Sequence, residues 1–348
     1  MRLFKYISIF LTILLVVLYV FNRPQSYQTY SGKIFGTFYH IIFFPNILFS
    51  PIENKILGKK IKHILKLTNY QMSVFEDNSE LNKINKAAAG ETLKLSPEMS
   101  RVLQEAAEIY ELSDGSFDPT VGPLINLWGF GIKEGGNFPD DDTIKETIRH
   151  IGYKKLHFSD DYTQLQKNDS RLYLNLSAIA KGYAVDRVAE FLNAEGYRNY
   201  VIEIGGEVRA SGERTTGRGG WNIGIRNPDN DGNALVLTLS GKSMATSGDY
   251  RNYFIKDGVR YAHTISPHSG YPLDDRLASV TVIDDSAMRA DALATAIMAK
   301  GYPQGLEFAD RKKIPAILFI RNNAADGGEE EFEMQLSKSA KKVLGEKF

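Results

Sequence analysis

The chain has 348 residues, 43% of them hydrophobic and 24% charged, a composition typical of a globular protein with a sizeable core. Its 42 lysines and arginines balance its 42 aspartates and glutamates, and this near-zero net charge argues against a nucleic-acid partner and against an acidic solvating tail. There is no cysteine, which excludes disulfides, thiolate metal sites, cysteine nucleophiles and a lipidated N-terminal cysteine.

The N-terminus carries an apolar run. Arg2 and Lys5 precede an uncharged stretch from Tyr6 to Phe21, which lacks a small-residue cleavage site. A membrane-spanning helix needs about 20 apolar residues, and this run comes close to that length. The run predicts an uncleaved signal anchor over residues 1–23 that leaves the rest of the chain facing outward; a cleaved signal peptide or a buried core helix are the alternatives.

The remaining chain divides into three parts. A polar linker is predicted at 24–33, a catalytic domain at 34–321 and a charged, peripheral C-terminal extension at 322–348. Within the domain, Ser96, Pro97 and Gly115 mark the start and stop of a helix at 97–113. Other helices are predicted around 59–67, at 140–151, within "LSAIAKGYAVDRVAEFLNAEGY" and at 286–300.

Strands dominate the second half of the domain. "NYVIEIGGEVRASG" indicates a hairpin that turns at Gly205–Gly206. "WNIGIRNP", "ALVLTLSG", "SMATSGDY", "RYAHTISP", "LASVTVID" and the apolar "PAILFI" follow at strand length. Because these strands arrive as hairpins and meanders, the pattern favours an α+β fold with mixed or antiparallel sheets and packed helices over a doubly wound sheet.

Familiar catalytic motifs are missing from the sequence. It has no GxGxxG opening a helix, no GxxxxGK[ST] loop, no HExxH and no GxSxG, and its six histidines show no transition-metal spacing. A cation bound by hard oxygen ligands remains possible. Asp291 and Thr295 are four residues apart on a predicted helix and therefore share one face, where their hard oxygen donors would suit Mg²⁺ or Ca²⁺. Taken alone, this spacing is also that of an ordinary helix start.

A second candidate lies in "NLSAIAKGYAVD". Lys181 and Gly182 stand where small residues lead into a predicted helix, and helix N-terminal amides together with a lysine can bind phosphate. The alternative is close helix packing through alanines with a solvated lysine.

A third candidate lies among the late strands. Ser247 and Gly248 are expected to form a tight turn, and His263 is suited to orienting a phosphate or transferring a proton near neutral pH. A purely structural strand histidine is the alternative.

Seven ordered segments together resemble the ApbE-type FAD:protein FMN transferase family. They are "FGTFYH", "MSVFEDNSELNKIN", "DGSFDPTVGPLINLWGFG", "NLSAIAKGYAVD", "IEIGGEVRASG", "MATSGDYRNYF…RYAHTISPHSGYP" and "ADALATAIMAKG", and they span about residues 34–301. The resemblance implies an ApbE-like flavin transferase fold behind the N-terminal anchor helix. It also implies Mg²⁺-dependent transfer of FMN from FAD to a threonine (or serine) hydroxyl of an acceptor protein, with release of AMP.

The resemblance also implies roles for individual residues. The metal ligands would be Asp291 and Thr295 with backbone oxygens of Ala180 and Ala294. Lys181 would neutralise phosphate and His263 would handle the proton. The positions that would contact FAD are Phe35, Phe75, Ser116, Phe117, Asp118, Ser177, Lys181, Tyr183 and Ile265.

Partners and location are expectations from the same resemblance. The acceptor would be a subunit of a membrane redox pump, and the enzyme would sit on the bacterial inner membrane with its catalytic domain in the periplasm. Two features depart from the family: many relatives are anchored by a lipidated cysteine, and the position of Phe35 is often methionine. A Mg²⁺-dependent FAD pyrophosphatase and a catalytically silent flavin-binding protein are the alternatives.

Overall fold

The computed structural model describes residues 27–45, 51–131, 138–214, 219–229, 232–248, 253–256, 259–273, 276–322 and 331–345, together with the single residues Tyr6 and Thr12. The predicted anchor at 1–23 lies outside these residues except for Tyr6 and Thr12. Across the described ranges, no helix combines the length and the apolar character needed to cross a membrane.

The described helices, numbered in chain order, are α1 Pro51–Met72, α2 Glu80–Lys86, α3 Pro97–Leu112, α4 Gly122–Leu127, α5 Asp141–Ile148, α6 Ala180–Ala194, α7 Ala287–Lys300, α8 Gln304–Lys312 and α9 Lys338–Leu344, with a 3₁₀ turn at Tyr153–Lys155. The strands are β1 Gln28–Ile34, β2 Thr37–Phe43, β3 Leu93–Lys94, β4 Leu156–Phe158, β5 Gln164–Lys167, β6 Tyr200–Ile204, β7 Glu207–Ser211, β8 Trp221–Arg226, β9 Asn233–Leu239, β10 Lys242–Gly248, β11 Tyr253–Lys256, β12 Val259–Ala262, β13 Leu277–Asp284, β14 Ala316–Asn322 and β15 Glu331–Leu336.

The largest described sheet runs in the order β1-β2-β6-β7-β10-β13-β14-β15, and every neighbouring pair in it is antiparallel. Helices α6 and α7 cover one face of this sheet, and the β8–β9 hairpin packs on the other. Covering both faces explains why β13 and β14 are almost entirely buried. The predicted α+β class with antiparallel sheets is confirmed.

Local signals placed several elements well. Ser96 caps α3 by accepting a hydrogen bond from the Met99 N–H at 3.1 Å, and Gly115 follows the helix with a φ of 78°. Gly205 and Gly206 turn the β6–β7 hairpin with φ values of 61° and 104°. Both the helix and the glycine turn match their predictions.

Both ends of the predicted domain differ from the structure. Residues 28–33, predicted as linker, belong to the edge strand β1, and Glu331–Leu336 of the predicted extension adds β15 at the opposite edge of the same sheet. Edge strands carry polar residues on their solvent side, and these residues made both segments resemble loops in the sequence. Helix α1 is longer than the predicted 59–67, and α5 is shorter than 140–151 because Asp140 is its N-cap.

Two helices meet closely where the candidate site residues lie. A Cβ at Gly182 would stand 2.3 Å from the carbonyl oxygen of Ala287, so glycine allows the first turns of α6 and α7 to touch. The buried Asp186 of α6 accepts hydrogen bonds from Ser286 Oγ and from the N–H groups of Ala287 and Met288. The carboxylate thereby caps α7 and sets its direction toward the sheet.

Candidate active site

A cavity of about 940 Å³ opens at the end of the main sheet. Among the elements that border it are the β6–β7 turn, the end of β10, the start of α6 and one side of α7. Its volume lies at the upper end of the range typical of small-molecule sites. The predicted site residues that line it are Ser116, Phe117, Asp118, Ser177, Lys181, His263, Ile265, Asp291 and Thr295.

A lysine between two carboxylates forms the floor of the cavity. The Lys181 Nζ lies 3.0 Å from Glu207 Oε1 and 3.9 Å from Asp291 Oδ1. The second Asp291 oxygen accepts a hydrogen bond from the Gly182 N–H at 3.1 Å. Both carboxylates are buried, whereas 26% of the Lys181 side chain is exposed. The ammonium is therefore the charge that this group presents toward the cavity.

For Lys181, Glu207 and Asp291, burial and the nearby opposite charges shift the pKa values in opposite directions. Burial raises the pKa of Asp291, and it raises that of Glu207 to about 8, although the Lys181 ammonium acts to lower both. Burial would lower the pKa of Lys181, but Asp291 and Glu207 outweigh it and raise that pKa above its usual value. Lys181 therefore stays charged at neutral pH.

Asp291 and Thr295 present hard oxygen donors side by side. They are one turn apart on α7, and both line the cavity. Ser247 Oγ lies 3.1 Å from Thr295 Oγ1 and holds that hydroxyl from the neighbouring strand β10. A buried carboxylate and an oriented hydroxyl are the donor types that Mg²⁺ prefers, so these residues fit a magnesium site. Ala180 and Ala294, predicted to add backbone oxygens, are buried and do not line the cavity.

The segment Ser116–Asp118 forms one wall. The Phe117 N–H donates to Ser113 Oγ, and Asp118 Oδ1 accepts hydrogen bonds from both the N–H and the hydroxyl of Thr120. These hydrogen bonds hold the conformation of a loop that is rich in glycine and proline. Burial raises the pKa of Asp118, an effect that the Thr120 hydrogen bonds only partly offset.

His263 lines the cavity next to an aromatic ring. The Phe130 ring contacts it edge-on with centroids 6.5 Å apart, and both residues line the cavity. Trp128 is instead buried and donates through Nε1 to the Gly270 carbonyl at 2.8 Å, so it packs this wall without lining it.

Three predicted FAD contacts are not brought to the cavity. Phe35 stands in the β1–β2 turn with a φ of 51° and packs toward the core beneath α1 and α6. Phe75 is 73% exposed after the end of α1. Tyr183 is 1% exposed, with the Arg101 guanidinium 5.7 Å from its ring centre. These three side chains do not line the cavity in this structure, and their contact with FAD stays a prediction from the family resemblance.

Two residues of the cavity floor, Glu207 and Ser247, were not predicted from the sequence as site residues. Glu207 lies in the quoted hairpin, where the sequence indicates only a strand residue; the available signal is an acid directly after a Gly–Gly turn. Ser247 and Gly248 were predicted to form a tight turn; instead both pair with β13 in β10, opposite Val280 and Ser279. The strand places the Ser247 hydroxyl on α7, a contact that no local pattern encodes.

Comparison with known proteins gives one consistent result. A model of the ApbE family matches residues 35–318. The FAD:protein FMN transferase of Vibrio cholerae serotype O1 is 37% identical over 307 residues, covering 87% of this chain and 90% of that protein.

Solved structures agree. The flavin transferase ApbE from Vibrio cholerae matches with a TM-score of 0.82 and 35% identity, covering 92% of this chain and all of that one. The apo flavinyl transferase ApbE of Pseudomonas stutzeri matches with a TM-score of 0.83 and 33% identity, covering 92% of this chain and 98% of that one. With both sequence and fold matched over nearly their full length, the chain belongs to the ApbE family.

Proposed function

We propose that this protein is an FAD:protein FMN transferase that moves FMN from FAD to a threonine or serine hydroxyl of an acceptor protein. The observation that carries the proposal is the cavity floor, where the Lys181 ammonium, the Asp291 carboxylate and the Thr295 hydroxyl converge. Relatives that share this fold carry the same enzyme name. The family membership and the floor together favour phosphoryl transfer over simple flavin binding.

The reaction forms one bond and breaks another. The acceptor oxygen attacks the FMN phosphorus, the bond from that phosphorus to the bridging oxygen breaks, and AMP leaves with that oxygen. Lys181 places a fixed positive charge beside the phosphate groups and offsets the charge that builds up on them. His263, within the same cavity, takes the proton of the attacking hydroxyl.

Asp291 and Thr295 would hold Mg²⁺, with carbonyl oxygens of Ala180 and Ala294 as the further predicted ligands. The ion, when bound, supplies charge neutralisation and orientation of the diphosphate. In this proposal the Ser116–Asp118 wall, Ser177 and Ile265 bind FAD, with Phe35, Phe75 and Tyr183 as further predicted contacts. The last three would have to reorient or act indirectly, since they do not line the cavity.

We also propose where the protein works. An anchor over residues 1–23 would fix it to the bacterial inner membrane, with the catalytic domain in the periplasm. A flavin-carrying subunit of a membrane redox pump would be the acceptor. The apolar run from Tyr6 to Phe21 behind Arg2 and Lys5 supports this location.

The test is an assay with FAD, Mg²⁺ and a candidate acceptor. We expect an FMN-sized mass increase on one acceptor threonine or serine, with release of AMP. Asp291→Asn should reduce the rate by about 100-fold or more, in the range seen when a group that acts on the transition state is removed. Asp142→Asn, at a 98% exposed side chain, is the matched control and should have no effect.

Two outcomes would contradict the proposal. Free FMN and AMP with every acceptor tried would identify a FAD pyrophosphatase, in which water attacks instead of a protein hydroxyl. Flavin binding with no AMP release would identify a silent flavin-binding protein.

A further inference from the structure

Glu207 is a buried acid at the cavity floor for which the proposed reaction has no use. It is the first residue of β7, directly after the Gly205–Gly206 turn, and its side chain is 2% exposed. Oε1 pairs with Lys181 Nζ at 3.0 Å, whereas the buried Oε2 has no hydrogen-bond partner within the described residues. A buried carboxyl group with one oxygen that makes no hydrogen bond destabilises the fold. A functional role would explain why this residue is present.

The ion-pair partner of Glu207 is Lys181, which lines the cavity. A lysine carries its charge on a flexible four-carbon stem, so an ammonium free in a cavity samples many positions. Here the ammonium is bounded by Glu207 on one side and Asp291 on the other, and the Ser177 carbonyl lies 3.5 Å away. Glu207 comes from the sheet, whereas Lys181 and Asp291 come from the two helices that cover it.

We infer that Glu207 is a positioning residue: it anchors the Lys181 ammonium at the place where that charge meets the diphosphate of FAD. This inference rests on the proposed function. Asp291 alone is 3.9 Å from the ammonium and is also engaged by the Gly182 N–H, so Glu207 makes the closer contact. Glu207 borders the cavity, but its side chain is only 2% exposed and its Oε1 is paired with the Lys181 ammonium, so we assign it to holding that ammonium rather than to contacting FAD.

A double-mutant cycle tests this dependence. AMP release and acceptor labelling are measured at saturating Mg²⁺ for the wild type, Glu207→Gln, Lys181→Met and the double variant. We expect Glu207→Gln to lower kcat by about tenfold while leaving FAD affinity, measured by flavin fluorescence, within about threefold. In the Lys181→Met background the same change should have almost no further effect, since a residue that acts through Lys181 is silent without it.

The chain offers a matched control pair. Glu195 and Lys60 form an ion pair of nearly the same length, 2.9 Å, on the surface away from the cavity. Glu195→Gln should leave kcat unchanged. Glu207→Asp, which keeps the carboxyl group but is one methylene shorter, should fall between wild type and Glu207→Gln and serves if the glutamine variant folds poorly.

A structural readout makes the inference independent of activity. In a crystal structure of Glu207→Gln, we expect the Lys181 side chain to leave its place beside Asp291 or to occupy several conformers. An unmoved ammonium, or rate losses that multiply in the double variant, would overturn the positioning role. A wild type that releases no AMP would instead refute the proposed function, and the crystal structure would still show whether Glu207 holds Lys181.

Discussion

The Gly182 N–H and the Asp291 carboxylate are joined by a hydrogen bond of 3.1 Å that links the first turn of α6 to α7. The bond also orients Asp291 toward Lys181, the residue that precedes Gly182. It can form only because the two helices approach closely at Gly182, where a Cβ would come within 2.3 Å of a backbone carbonyl. The geometry of the cavity floor therefore depends on glycine at position 182, which has no side chain.

Replacing this glycine should damage both stability and activity. Gly182→Ala pushes a methyl group against the Ala287 backbone, which cannot move aside as a flexible side chain would. We expect a loss of about 2–3 kcal/mol in the free energy of unfolding, measured by urea denaturation, and a reduced rate of FMN transfer.

Gly90→Ala is the control for this experiment. It lies at a φ of 79° with open space around it, so it should cost about 1 kcal/mol through its backbone conformation alone. Its transfer rate should equal that of the wild type. Equal stability losses at the two glycines would contradict the close-contact explanation.

Asp186 should be essential to the placement of α7. Its carboxylate accepts bonds from Ser286 Oγ and two backbone N–H groups, and it pairs with Arg209 Nη1 at 2.8 Å. Asp186→Asn removes the charge and leaves buried donors without an acceptor, so we expect a loss of about 3 kcal/mol. The urea midpoint is the measurement, and a variant as stable as wild type would show that the cap is dispensable.

Asp118 should make stability depend on pH. Burial raises its folded-state pKa, so its contribution is most favourable below the ordinary aspartate pKa of about 4 and is lost as the pH rises through the folded pKa. Asp118→Asn keeps an oxygen that can accept both Thr120 hydrogen bonds but does not titrate. Relative to wild type, the variant should therefore gain stability in thermal melts as the pH rises above about 4, the ordinary aspartate pKa. A difference that stays constant with pH would contradict the raised pKa.

Ser247 should affect the affinity of the enzyme for Mg²⁺. Its hydroxyl holds Thr295 Oγ1 at 3.1 Å, so Ser247→Ala leaves that proposed ligand less well oriented. Loss of such an outer contact typically weakens metal affinity by about 10-fold or more, and we expect the Mg²⁺ concentration for half-maximal transfer to rise accordingly, with kcat at saturating Mg²⁺ largely retained. Thr147→Ala, at a half-buried position of α5 outside the cavity lining, should not change that Mg²⁺ concentration. A lowered kcat without a shift in Mg²⁺ dependence would contradict this reading.

Elements with local signals could be predicted from the sequence. Helix α3 follows from its serine cap, its proline and its closing glycine, and the β6–β7 turn follows from two adjacent glycines. The edge strands β1 and β15 were not predicted, because none of their residues is fully buried and polar residues make up much of each segment.

The candidate site likewise combines residues that the sequence predicted with residues that only the structure brought together. The sequence by itself determined that Asp291 and Thr295 share a helix face, since spacing along a helix sets which side chains are neighbours. It also determined the family, through seven ordered segments. Only the tertiary structure decided that Glu207 and Ser247 belong to the floor while Phe35, Phe75 and Tyr183 do not line the cavity. Those placements depend on how α6 and α7 pack across the sheet, and contacts between distant segments leave no period in the sequence.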